Sequence, residues 1–120
     1  MCIRDSFGAR MARAAGPKTQ ADELLPYLLH LKHADLSVMV LMAAAMRAHS
    51  AADLLPDIAC PTLIVAAGAD VFTPARCSET MHHRIPASEL VTFRDAGHTL
   101  PIEEPEAIAE AVADFVDRRL

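Results

Sequence analysis

This sequence of 120 residues has no tryptophan, one tyrosine and four phenylalanines, so any core it forms must be built from aliphatic side chains. More than half of it (52%) is apolar, alanine and leucine above all, which excludes a disordered chain and favours a helix-rich globular one. Cysteine is scarce and odd in number, and Cys2, Cys60 and Cys77 show no C-x-x-C spacing. That excludes a disulfide scaffold and suits a reducing compartment, with Cys60 and Cys77 expected as small core residues. No apolar run reaches the ~18 residues of a membrane-spanning helix. Arg4, Asp5, Arg10 and Arg13 interrupt any signal-peptide core, so a cytoplasmic location without a membrane partner is expected. A concentrated positive charge is missing as well. The net charge is −5 with both signs interspersed, and nucleic acid is not an expected partner. Nor is there a metal-ligand set. His30 and His33, and the adjacent His82 and His83, have no cysteine or carboxylate spacing to complete one, so neither a metal nor a cofactor is expected.

What is present divides into three stretches. Residues 1–20 carry Arg, Ala and Gly without an apolar period and read as a loose lead-in, whose opening Met-Cys-Ile-Arg-Asp-Ser is set aside as a non-native start. Residues 21–52 read as helical. Leu24, Leu25, Leu28, Leu29 and Leu31 suit a helix over 21–33, with Pro26 in its first turn or kinking it. A stronger helix is predicted from about Asp35 to His49, where Leu36, Met39, Val40 and Met46 recur at three and four spacings. Met39, Met42 and Met46 share one side of it. Core packing is the expected use of that stripe, and lining a pocket for a hydrophobic substrate is the alternative.

The third stretch, 53–120, has an α/β pattern. After a connector over 53–61, Thr62-Leu-Ile-Val-Ala-Ala67 is a continuous apolar run between Pro61 and Gly68, as in a parallel strand buried on both faces. Thr73 followed by Pro74 predicts an N-cap and first helical residue. That helix runs to about Arg84 with Cys77, Met81 and Ile85 stacked along it, and Pro86 ends it. Glu89-Leu-Val-Thr-Phe93 is a second strand. Pro105 opens a last helix with Ile108, Ala111, Val112, Phe115 and Val116 facing inward. Strand, helix, strand, helix implies parallel pairing with a right-handed crossover, so both strands end on the sheet edge where ligands bind in α/β folds.

The chemistry-bearing residues sit at that edge. Gly68-Ala-Asp70 follows the first strand and Asp95-Ala-Gly97-His98 follows the second. A carboxylate beside an imidazole can accept the Nδ1 proton and leave Nε2 as a base. Taken singly, Asp70 could be an ordinary turn residue and His98 a solvated loop residue.

Together with their surroundings these residues resemble the end of the α/β-hydrolase superfamily. The resemblance is carried by Pro61-Thr-Leu-Ile-Val-Ala-Ala-Gly-Ala-Asp70-Val-Phe-Thr-Pro74, then Ile85-Pro86, then Gly97-His98-Thr-Leu-Pro-Ile-Glu103-Glu-Pro105, about half of the chain. It implies a C-terminal portion of that fold: two parallel strands with flanking helices, the seventh and eighth of the family sheet, preceded by helices similar to the end of its lid. It also implies that Asp70 and His98 are the acid and histidine of a nucleophile-His-Asp triad. Glu103 is expected only to favour the positive N-terminal end of the last helix.

The family's nucleophile motif, G-x-S-x-G on a strand-to-helix turn, does not occur. The nearest string, Arg4-Asp-Ser6-Phe-Gly8, has no strand before it and too few residues between Ser6 and Asp70, so Ser6 is not read as the nucleophile. No His-Gly oxyanion loop is present either. The expectation is a partial hydrolase whose parent cleaves an ester or related carbonyl compound on a small hydrophobic substrate. The 120 residues alone should be inactive and should self-associate. The alternative is a non-catalytic member of the fold that binds a small ligand or a protein.

Overall fold

A computed structural model describes residues 16, 18, 19, 21–31 and 33–119. Among the described residues two helices come first, α1 (Ala21–Leu31) and α2 (Leu36–Ala48), followed by a 3-10 helix over Ala52–Asp57 in what the sequence suggests is only a connector. Then β1 (Thr62–Ala67), α3 (Ala75–Arg84), β2 (Ser88–Phe93), a one-turn helix α4 (Leu100–Glu103) and α5 (Pro105–Arg119) complete the order. β1 and β2 are parallel, in register from Thr62 opposite Ser88 to Ala67 opposite Phe93. The crossover helix α3 packs on both strands, and α5 packs on β1.

Proline and glycine set most of these boundaries. Pro61 precedes β1 and Gly68 follows it; Pro86 stops α3; Pro105 begins α5 with a missing N–H that no helical carbonyl would have used. The core lies between the sheet and α4–α5, where Ala67, Ala96 and Leu100 form a buried cluster against Val65, Phe93 and Ile108. Ile64, Ala66, Ile85 and Phe115 are also buried. At the far end of α5, the Arg118 guanidinium donates to both carboxylate oxygens of Glu89 at 3.1 and 2.8 Å, and Arg119 Nε donates to Glu89 at 2.6 Å.

Four expectations need correction. Cys60 and Cys77 are exposed: Cys60 lies in the segment before β1, and Cys77 is off the face of α3 that holds the less exposed Ala75, Ser78 and His82. Thr73 does not cap α3: Pro74 holds the cap position with no side-chain hydrogen bond, and the Thr73 hydroxyl is drawn instead to the Asp70 carboxylate. Val112 and Val116 stand at the margin of the α5 inner face and remain over two-fifths exposed. The largest correction is α2. Asp35 caps it by accepting from Ser37 and Val38 N–H, yet none of its residues is buried.

Met39, Met42 and Met46 are exposed, so among the described residues they neither pack in a core nor line the cleft described below. Leu36, Val40 and Leu41 are exposed with them. Among the described residues no single helix is long and apolar enough to cross a membrane; α1 and α2 meet that measure only together, across a bend of 101°.

Candidate active site

The site begins with a close approach of two backbones. Gly68 N–H donates to Phe93 O at 2.8 Å and Ala69 N–H to Ala96 O at 3.0 Å, continuing the ladder past the strand ends into both loops. A Cβ on Gly68 would lie 2.4 Å from the Arg94 carbonyl oxygen, so only glycine lets the loops come this near. Asp70 comes one residue after Ala69, and His98 two residues after Ala96. His98 Nδ1 lies 2.9 Å from Asp70 Oδ2.

Asp70 is held from several sides. Its Oδ1 accepts from Phe72 N–H at 2.7 Å and Thr73 N–H at 3.0 Å, and its Oδ2 accepts from the Thr73 hydroxyl at 2.6 Å as well as from His98. Burial works to raise its carboxyl, but the Thr73 hydroxyl, His98 and the two backbone donors outweigh it and hold the group at about 2, below the ordinary 3.8. An ionised carboxylate only accepts, so His98 Nδ1 is the donor in this pair, and in the neutral imidazole Nε2 then keeps its lone pair. The two partners differ in exposure. The Asp70 side chain is 6% exposed and that of His98 49%, so the acid is enclosed while the imidazole is open to a reactant. The Phe72 ring lies against the imidazole, centroids 5.1 Å apart at 59°.

Beside the pair lies a cleft of about 300 Å³, with Val65, Ala67, Leu100, Pro101 and Ile108 as its apolar wall and Asp70, His98, Thr73 and Ser78 as its polar one. Among the described residues, no hydroxyl or thiol is hydrogen-bonded to His98 Nε2. Ser6 lies outside the described residues. Among the described residues, no group of three or more His, Cys, Asp or Glu is placed to hold a metal ion. His82 Nδ1 pairs with the Ser88 hydroxyl at 2.9 Å, where α3 meets β2.

Two residues of this site have partners that sequence reasoning does not give. Thr73 is the strongest donor to the acid, and a signal existed: residues two and three positions after an aspartate are the usual donors of an Asx turn. Glu103 is placed differently from expectation. Its carboxylate points back at the His98 loop, not along the axis of α5, where Oε1 accepts from Gly97 N–H at 3.0 Å and the Thr99 hydroxyl at 2.9 Å.

Parallel strands that present an enclosed carboxylate and an open imidazole at adjacent C-terminal ends fit the end of the α/β-hydrolase sheet. Comparison with known proteins agrees. A family model, that of the TAP-like proteins among the α/β-hydrolases, matches residues 37–118. The chain belongs to this family of the α/β-hydrolase superfamily. It is 35% identical over 63 residues to a putative carbamate hydrolase, RutD, of Klebsiella pneumoniae, a match covering 52% of this chain and 24% of that protein. The solved structure of Est816, an N-acyl homoserine lactone degrading enzyme, matches with a TM-score of 0.73 and 26% identity over 92% of this chain and 46% of that one. A thermophilic esterase from Thermogutta terrifontis is 37% identical over 56% of this chain and 25% of its own, with a TM-score of 0.53. The chain thus spans about a quarter of the carbamate hydrolase it resembles and about half of the lactone-degrading enzyme.

Proposed function

We propose that this chain supplies the orienting acid, Asp70, and the general base, His98, of a nucleophile-His-Asp triad that hydrolyses an ester or a related carbonyl substrate. The observation that carries the proposal is the 2.9 Å contact between His98 Nδ1 and the enclosed Asp70 carboxylate, with the imidazole open beside an apolar cleft. In this scheme Asp70 fixes the tautomer, and His98 Nε2 takes the proton from the nucleophile as it attacks the carbonyl carbon. The same nitrogen returns that proton to the leaving group, then deprotonates the water that releases the acyl product. The apolar wall of Val65, Leu100 and Pro101 suits a small hydrophobic substrate. The similar proteins are a lactone-degrading enzyme, a putative carbamate hydrolase and an esterase; attack at a carbonyl carbon is common to those three reactions and supports this substrate class.

The nucleophile and the oxyanion donors come, in this proposal, from outside these 120 residues. The chain alone is then inert: it turns over no p-nitrophenyl acetate and takes no label from a fluorophosphonate. Turnover that vanishes in His98→Ala but survives Ser6→Ala would place a nucleophile elsewhere within the chain and overturn that part. The positive test is a chimera in which residues 37–118 replace the matching portion of the lactone-degrading relative. Esterase turnover lost on His98→Ala supports the triad, and a folded chimera without turnover refutes it.

The uncovered apolar residues of α2 support a second element of the proposal, self-association of the isolated chain. Light scattering after size exclusion should find dimers or larger species that Leu41→Gln with Met46→Gln reduces. A monomeric wild type would overturn it.

A further inference from the structure

We propose that Glu103 is a positioning residue for His98, acting through the backbone on either side of it. This rests on the proposed role of His98 as the base. Burying a carboxylate is costly unless strong hydrogen bonds repay it, and Glu103 is only 8% exposed. Its Oε1 takes the N–H of Gly97 at 3.0 Å and the hydroxyl of Thr99 at 2.9 Å, the residues immediately before and after His98. One oxygen therefore grips both flanks of the histidine and leaves only the imidazole free to turn outward.

A second layer backs the first. Gly16 N–H also donates to Glu103 Oε1, at 3.2 Å, and the Thr19 and Thr99 hydroxyl oxygens are 2.9 Å apart. Because the Thr99 proton goes to Glu103, Thr19 is the donor in that pair. A Cβ on Gly16 would fall 1.7 Å from Glu103 Oε2, so glycine there lets the 16–19 turn close on the carboxylate. Lys18 pairs with the adjacent Glu104, which raises the lysine above its ordinary value. Oε2 itself is buried and has no partner among the described residues. A carboxylate kept in place with one oxygen unsatisfied is poor value as a stabilising group, whereas as a clamp it needs only Oε1. Displacements of about 1 Å in a catalytic group cost on the order of 100-fold in rate, which is the scale on which such a clamp matters.

The test is the tautomer of His98, read on the 120-residue chain labelled with 15N-histidine by two-bond nitrogen–proton correlation across a pH series. An imidazole held by Asp70 shows the Nδ1–H form when neutral; one that drifts from it reverts to the Nε2–H form favoured in free histidine. Glu103→Leu should lose the Nδ1–H signature, Thr99→Val should weaken it, and Glu103→Gln, which keeps an acceptor at Oε1, should retain it. Phe115→Leu, a core change remote from the loop, should lower the melting temperature without altering the His98 pattern. If Glu103→Leu does not fold, Thr99→Val against Glu103→Gln decides. An unchanged tautomer in every folded variant of Glu103 and Thr99, or an equal change in Phe115→Leu, overturns the proposal. Asp70→Asn separates the two levels. If it abolishes the Nδ1–H form while the Glu103 and Thr99 variants do not, only the clamp is wrong; if it changes nothing, the acid–base pair fails and the clamp with it.

Discussion

Two regions of this chain, 21–48 and 62–119, are both rich in apolar residues, the first the richer, and have opposite fates. Residues 62–119 bury Ile64, Ala66, Ile85, Leu100 and Phe115 and bring Asp70 and His98 together from distant positions. The helices over 21–48 obey the same local rules, with a well-formed Asp35 cap, yet α2 buries nothing. Local signals are sufficient to wind a helix; only a partner surface can bury one. A helix that is apolar nearly all round, as Leu36–Ala48 is, belongs in an interior.

That contrast can be broken or sharpened by substitution. The largest effect should come from Phe115→Ala, which opens a cavity in the core of the 62–119 region and should cost about 3–5 kcal/mol by urea unfolding. A loss below ~1 kcal/mol would mean that the region is no better packed than α2. Next is acid. The Asp70 carboxyl is depressed on folding, so its contribution is fully present above its ordinary 3.8 and is lost as pH falls through about 2. The shift corresponds to about 2 kcal/mol. Glu89, held at about 2 by hydrogen bonds from Arg118 and Arg119, titrates in the same window. The Asp70 share is therefore the difference between wild type and Asp70→Asn in unfolding free energy across pH 2–4.

A smaller effect, about 1 kcal/mol and confined to α2, is expected for Asp35→Ala, seen as lost helical circular dichroism with little change in the main unfolding transition. Equal damage to both would show that α2 is coupled to the core. Smallest of all, Met46→Gln, measured at dilutions where the chain is monomeric, should change stability by less than about 0.5 kcal/mol because Met46 is 72% exposed within the chain. A larger loss under those conditions would show that Met46 packs within the chain itself.

The legibility of the sequence follows the same division. β1, α3, β2 and α5 could be read because proline and glycine punctuate them and because strand and helix periods differ. The positions of Asp70 and His98 beyond the strand ends were readable for the same reason, since pairing direction is fixed by the crossover. Side-chain destinations were less so. Thr73 looks like a helix cap until the carboxylate three residues earlier competes for its hydroxyl, and nothing local says which acceptor wins. Glu103 looks like a charge beside a helix start, because its partners Gly97 and Thr99 are reached only when the loop folds back. Cys60 and Cys77 have the size and polarity of core residues, but burial depends on which face meets the sheet. The one-turn helix α4 is too short to leave a period.

Gly68 has a consequence beyond the room it makes. With its Cα resting against the Arg94 carbonyl and two ladder bonds crossing the gap, the loop that carries the acid and the loop that carries the base are riveted into one rigid body. Thermal motion can then shift the pair relative to a reactant, but hardly one member relative to the other. A methyl group at position 68 would act as a wedge between the loops, and its damage would be read not at residue 68 but thirty residues on, in the orientation of a ring it never touches.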